Sequence, residues 1–308
     1  MPSFSSYDGC LISYELAGRG APLVVLPGGP GSHVGYVGGL GGLDGRRQLV
    51  LVHPRGTGRS AVPADRSSVS FVQQARDVEE LRRHLGLERL DLLAHSAGCL
   101  VAQEYLAGHP GRVPRAVLVT PVGVAGREPD EAELAALRAA RAAEPWYPQA
   151  AEAARRLAGG GVGAAEAAEL NRRILPFFWY GWSERHFAEY RPEHAAAPWY
   201  REAFYAGAAE ARPPAERRAR IAAGGTRSLV LAGAFDGMVG PAPAPARAVA
   251  AALPDARLEV LERSGHRPWA EEPERFVALV DGFLDRRMDR CPDRCPDRPA
   301  EEAPVSRS

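Results

Sequence analysis

The chain has 308 residues, enough for one large α/β domain with an insertion or for two smaller domains. Its 45% apolar and 25% charged content is that of an ordinary globular protein, and a formal net charge of zero gives no electrostatic ground for a nucleic-acid partner or a membrane surface. All 38 basic residues are arginine, which excludes lysine chemistry such as a Schiff base or a phosphate-loop lysine.

The first ten residues, Met1 to Cys10, lack the basic and apolar stretches of a signal peptide. No apolar run reaches the roughly 18 residues that a transmembrane helix needs. Cys10, Cys99, Cys291 and Cys295 are too sparse for a disulfide framework, so a reducing, cytoplasmic setting is expected. Cys10 to Leu16 reads as a strand, and Pro22 to Leu26 as a short buried one. The latter runs into Pro27-Gly28-Gly29-Pro30-Gly31, where glycine admits positive φ and lets backbone N–H groups approach a ligand. Residues 32–45 are too glycine-rich to assign. Gln48 to Val52 is another buried strand, followed by His53-Pro54-Arg55-Gly56-Thr57-Gly58-Arg59-Ser60.

Ser70 opens a helix, with Gln73 completing a capping-box pair and Phe71, Ala75, Val78, Leu81 and Leu85 at helical spacing. Gly86 is its stop signal. Asp91 to Ala94 is a strand that leads through His95-Ser96-Ala97-Gly98 into a helix ending near Gly108, and Ala116 to Thr120 is the next strand. Short apolar strands alternating with helices predict a doubly wound, mostly parallel α/β sheet. From about 125 to 226 no strand is predicted. That stretch is rich in alanine, arginine and proline and carries the aromatic run Phe177-Phe178-Trp179-Tyr180-Gly181-Trp182, which reads as an inserted helical lid. Strands return at Ser228 to Ala232 and Arg257 to Leu261, and a helix from about Glu274 to Leu284 closes the domain. The polar, proline-rich tail 286–308 is expected to be disordered. Its two cysteines lack the further ligands a metal site would need, so no metal and no cofactor is expected. The resulting division is a core of residues 1–124 and 227–285, a lid of 125–226, and the tail.

Ala94-His95-Ser96-Ala97-Gly98 is a G-x-S-x-G pattern with alanine for its first glycine. In such an elbow the serine sits on a strand-to-helix corner with its hydroxyl clear of the sheet, at the positive end of the next helix. A serine hydroxyl needs a base, and the base an orienting acid. In chain order the candidates are Ser96, Asp236 in Ala234-Phe235-Asp236-Gly237, and His266 in Ser264-Gly265-His266. Each follows a predicted strand, where open α/β sheets bind ligands. The predicted oxyanion donors are the Ala97 N–H and one from the Pro27–Gly31 loop. His95 precedes the serine and is expected to pack at the elbow. His53 either packs or lines the site. His33 follows the glycine loop and is a candidate for the pocket, as are Trp179 and Trp182 of the aromatic run.

These motifs resemble the α/β-hydrolase superfamily and, within it, its proline iminopeptidase-like serine peptidases, known by an HGGPG loop, a DxRGxGxS stretch, a GxSxG elbow, and a late Asp and His. The resemblance covers about residues 7–124 and 226–285 and implies Gly29 as the second oxyanion donor. Pro27 stands for the family histidine, His53 for its aspartate, Ala94 for the first elbow glycine, and Ala97 where iminopeptidases often have tryptophan. An aminopeptidase of this kind holds the substrate ammonium with lid carboxylates, for which Glu184, Glu189, Glu193 and Glu202 are available. The expected activity is hydrolysis of an ester or amide, in a small molecule or short peptide, through a Ser96 acyl-enzyme. An esterase or lactonase acting on an apolar molecule and a non-hydrolytic biosynthetic or binding role are the alternatives.

Overall fold

The computed structural model describes residues 1–124, 131–186, 197–239 and 244–285. Strands β1 (Ser3–Ser5), β2 (Leu11–Ala17), β3 (Pro22–Leu26), β4 (Gln48–Val52), β5 (Asp91–His95), β6 (Arg115–Val119), β7 (Arg227–Gly233) and β8 (Asp255–Leu261) form one eight-stranded sheet in the order β1-β2-β4-β3-β5-β6-β7-β8. β1–β2 and β2–β4 are antiparallel; the other five pairings are parallel. The α/β sheet is thus doubly wound and mostly parallel, with an antiparallel edge. β1 was not foreseen: a three-residue polar strand has no periodicity to read.

Alternation along the strands builds two cores. Val24, Leu26, Val50, Val52, Leu92, Ala94, Leu118 and Val230 face α1 (Phe71–His84) and α2 (Gly98–Gly108). Their sequence neighbours Leu23, Val25, Leu49, Leu51, Leu93, Val117, Val119 and Leu231 face the opposite layer. That layer contains Phe276, Val280 and Leu284 of the closing helix (Pro273–Asp285), together with Val34, Val37, Leu40 and Leu43. The last four belong to the glycine-rich stretch, which folds into two 3-10 segments, Val34–Val37 and Leu40–Gly45. Gly41 (φ 69°) and Gly42 (φ 99°) break the helical pattern inside the second, which is why no period was legible there.

α1 starts where its cap predicted, with Ser70 Oγ accepting the Gln73 N–H at 3.3 Å. Only half of the capping box forms, because the Ser70 N–H donates to the Ser67 carbonyl instead. Between β6 and β7 the described residues carry helices and no strand: α3 (Glu131–Ala139), α4 (Tyr147–Ala158), α5 (Ala164–Arg173), α6 (Pro198–Ala206) and α7 (Pro214–Gly224). α8 (Ala244–Ala252), α9 (Pro268–Glu271) and α10 (Pro273–Asp285) complete the helices named here. Glu189, Glu193 and the tail 286–308 lie outside the described residues. Among the described residues no helix is long and apolar enough to cross a membrane.

Candidate active site

The parallel strands end on one side of the sheet, and the loops leaving β3, β5, β7 and β8 meet there. Ser96 follows β5 directly and has a positive φ of 53°, a conformation disfavoured for a side chain with Cβ. Close approach of glycines makes the corner possible. A Cβ on Gly28 would lie 2.6 Å from the Ser96 Cβ, and one on Gly98 would lie 2.5 Å from the Pro27 carbonyl oxygen.

Ser96 Oγ donates to His266 Nε2 at 2.9 Å, and His266 Nδ1 donates to Asp236 Oδ2 at 2.8 Å. Ser96, Asp236 and His266 are 6%, 2% and 4% exposed, so these bonds form out of bulk water, where they are stronger. Residues 170 positions apart are therefore brought into one hydrogen-bonded line. The remaining polar groups of His266 are also held. Its N–H donates to the Phe178 carbonyl at 2.7 Å, and its carbonyl accepts from His95 Nε2 at 2.9 Å and Thr120 Oγ1 at 3.1 Å. The Phe178 ring stands edge-on to the imidazole, with centroids 5.3 Å apart.

His95 does more than pack. Tyr36 Oη donates to His95 Nδ1 at 2.6 Å and accepts the Gly28 N–H at 2.7 Å. Burial, reinforced by neighbouring His266, holds the His95 pKa well below the usual imidazole range. It is therefore neutral, with Nδ1 accepting and Nε2 donating. A chain of bonds runs from the glycine loop through Tyr36 and His95 to the His266 carbonyl. Tyr36, Thr120 and the Phe178 carbonyl were missed in the sequence, since nothing local marks them as partners of residues so far away.

The Gly28 N–H is committed to Tyr36, which leaves the next N–H of the loop, on Gly29, as its candidate oxyanion donor. Gly29 has φ 125°, and a Cβ there would collide with Ser32 Oγ. Ala97, just before α2, offers its N–H at the positive end of that helix. Among the described residues neither N–H has a protein acceptor. A largely apolar cavity lies on the α1 and α2 side of the sheet, bordered by Ile12, Leu26, Val78, Ala97, Val101 and Phe204 with Gln74 and Asp77; Ser96, Gly29 and His266 do not line it.

Of the other expected site residues, Trp179 packs beside the Gly265–Arg267 turn. Trp179 is buried and stacks on His186 at 4.1 Å, and Trp182 also borders His186, at 5.3 Å. Neither makes a ring contact with His266. His33 Nδ1 accepts the Gly35 N–H at 2.9 Å, and its ring meets that of His53 edge-on at 4.9 Å. Glu15, His33 and His53 bring one ligand-type atom each within 4.8 Å of one another, a cluster invisible in the sequence. A cation there would have to displace the 2.9 Å bond from His53 Nε2 to Glu15 Oε1. Glu184 and Glu202 are exposed.

The fold and this constellation define a class, and comparison agrees: the chain belongs to the alpha/beta hydrolase fold family, whose profile matches residues 21–273. Among curated relatives it is similar to a probable proline iminopeptidase of Streptomyces coelicolor, 36% identical over 118 residues, which is 36% of each chain. It is 32% identical over 113 residues to a proline iminopeptidase of Xylella fastidiosa, again 36% of each chain. The matches thus span about a third of the length of these relatives. Solved structures extend the likeness across the molecule. A meta-cleavage product hydrolase from Pseudomonas fluorescens IP01 aligns with TM-score 0.67 at 19% identity, covering 92% of this chain and 97% of that one. An enol-lactonase from Burkholderia xenovorans LB400 aligns at 0.64 and 22%, covering 92% and 99%. At such identities the shared property is the fold.

Proposed function

We propose that the protein hydrolyses an ester or amide bond through a Ser96 acyl-enzyme. The observation that carries this reading is the line of hydrogen bonds Ser96–His266–Asp236, at 2.9 and 2.8 Å, with two N–H groups beside it. Ser96 Oγ attacks the substrate carbonyl carbon while His266 Nε2 takes its proton. The N–H groups of Gly29 and Ala97 hold the oxyanion that forms, and Asp236 keeps the imidazole oriented and stabilises the imidazolium. His266 then protonates the leaving alcohol or amine. Water deacylates the enzyme by the same steps in reverse roles, so the cycle uses only side chains, main-chain donors and water. Residues 125–226 act as a cap over the site, and the protein works in the cytoplasm on a small molecule or short peptide.

Similarity to iminopeptidases over 118 residues supports release of N-terminal residues. The exposure of Glu184 and Glu202 favours instead an esterase or lactonase. A panel of aminoacyl arylamides, proline included, against short-chain aryl esters separates these readings when wild type and Ser96→Ala are run side by side. Arylamide turnover lost in the variant supports the aminopeptidase, and ester turnover alone supports the esterase. No turnover in either series turns the reading toward a non-hydrolytic role.

A further inference from the structure

The loops carrying Asp236 and His266 lean on a strip of main chain from the inserted segment. The Phe177 carbonyl accepts the Gly237 N–H at 3.0 Å, and the Phe178 carbonyl accepts the His266 N–H at 2.7 Å. The next two carbonyls, of Trp179 and Tyr180, accept from the Arg141 guanidinium at 2.6 and 3.1 Å. The N–H groups of Tyr180 and Gly181 then donate to Glu271 Oε1 at 2.8 and 3.1 Å. The other oxygen, Oε2, accepts the Gly265 N–H at 2.7 Å. One carboxylate at the end of α9 therefore joins the strip to the residue just before His266. The neighbouring Glu272 accepts from the Arg263 N–H at 2.8 Å and from Ser264 Oγ at 2.7 Å, so this turn is held along its length by carboxylates. The fit is close, since a Cβ on Gly265 would collide with the Phe178 carbonyl oxygen.

Three main-chain donors from two segments converge on Glu271. Only a carboxylate accepts on both sides, because a Gln amide would turn an NH2 group toward one of these N–H groups. The Tyr180 and Gly181 donors are exposed and can turn to water, but Gly265 is buried, and leaving its N–H without an acceptor is costly, so its segment moves to find another. We infer that Glu271 is a positioning residue: it fixes the Gly265–His266 peptide against the strip 177–181 and thereby sets His266 Nε2 on Ser96. Glu271 bonds none of the reacting atoms; it acts through His266. The consequence for activity rests on the hydrolase reading above, whereas the consequence for the imidazole does not.

The experiment compares wild type, Glu271→Gln and Arg141→Gln, the last touching the strip but not the His266 turn. Two readouts are used: the downfield proton resonance of the His266 Nδ1–H in its bond to Asp236, assigned by its loss in His266→Gln, and the rate of Ser96 labelling by a fluorophosphonate. In Glu271→Gln the fold should persist by circular dichroism while the resonance broadens or disappears. Labelling should slow by about tenfold to a hundredfold, the scale of a small misplacement. Arg141→Gln should change both less. Should Glu271→Gln not fold, Glu271→Asp keeps both oxygens on a shorter arm that cannot span the two sides, and the same losses are expected. A Glu271 variant that folds with an unchanged resonance overturns the inference. A wild type that takes no probe contradicts the hydrolase reading instead, and the resonance still decides where His266 stands.

Discussion

At the scale of single residues, the site is a problem in immobilising one imidazole. His266 has four polar groups, and all four are bonded, to Phe178, to His95 with Thr120, to Asp236 and to Ser96. Tyr36 matters through this arrangement. Tyr36→Phe strips an acceptor from the Gly28 N–H and a donor from His95 Nδ1, and should cost about 1–3 kcal/mol of stability. Urea unfolding measures the loss, and the loosened glycine loop should lower kcat more than it raises KM. Gly29 tests the oxyanion reading. Its φ of 125° and the crowding by Ser32 mean that Gly29→Ala must shift the loop. Loss of one such donor lowers kcat by about a hundredfold or more. A Gly29→Ala enzyme with unchanged kcat would remove Gly29 from the mechanism. These contacts also mark where sequence reading stops. Ser96, Asp236 and His266 could be picked out because each follows a strand in a set order. Tyr36 and Glu271 could not, since their partners lie on other loops that only folding brings close.

At the scale of elements, α1 and α2 are tied by a buried carboxylate. Burial alone would raise the pKa of Glu79, but bonds from Arg82 at 2.7 and 2.9 Å and from Tyr105 at 3.0 Å, with nearby positive charge, hold it down to about 2. A folded pKa below the ordinary 4.5 means that the ionised form stabilises the fold above about pH 4.5. That contribution is lost as pH falls from there through about 2. Thermal midpoints from pH 6 to 2 should drop less steeply for Glu79→Gln than for wild type, and parallel curves would rule the network out as a source of acid sensitivity. A second tie joins α2 to α7, where Glu104, 1% exposed, accepts from Arg217 and Arg212, both at 2.9 Å. Glu104→Gln removes the buried carboxylate that Arg217 and Arg212 share and should cost about 3 kcal/mol in urea unfolding. α1 itself was legible in sequence because its cap and period are local. The bond that Gln73 makes to Glu210 rather than back to Ser70 was not, because Glu210 is 137 positions away.

At the scale of the whole molecule, a sheet buried on both faces carries a set of loops at one end, and the described residues between β6 and β7 are helical. The two cores follow from strict alternation along near-continuous apolar strands, and this is why β3 and β4 matched their predicted limits. The glycine-rich stretch 32–45 and the insertion were harder, since backbone turns and aromatic packing carry no period. Every step of the proposed chemistry passes through one atom, Ser96 Oγ, and the most direct measurement asks whether that atom is a nucleophile. Intact protein is treated with a fluorophosphonate and analysed by mass spectrometry with peptide mapping, in wild type, Ser96→Ala and His266→Gln. The account predicts one adduct, on Ser96, absent in Ser96→Ala and formed at least about a thousandfold more slowly in His266→Gln. A wild type that stays unmodified, or that is labelled equally fast without His266, would contradict it.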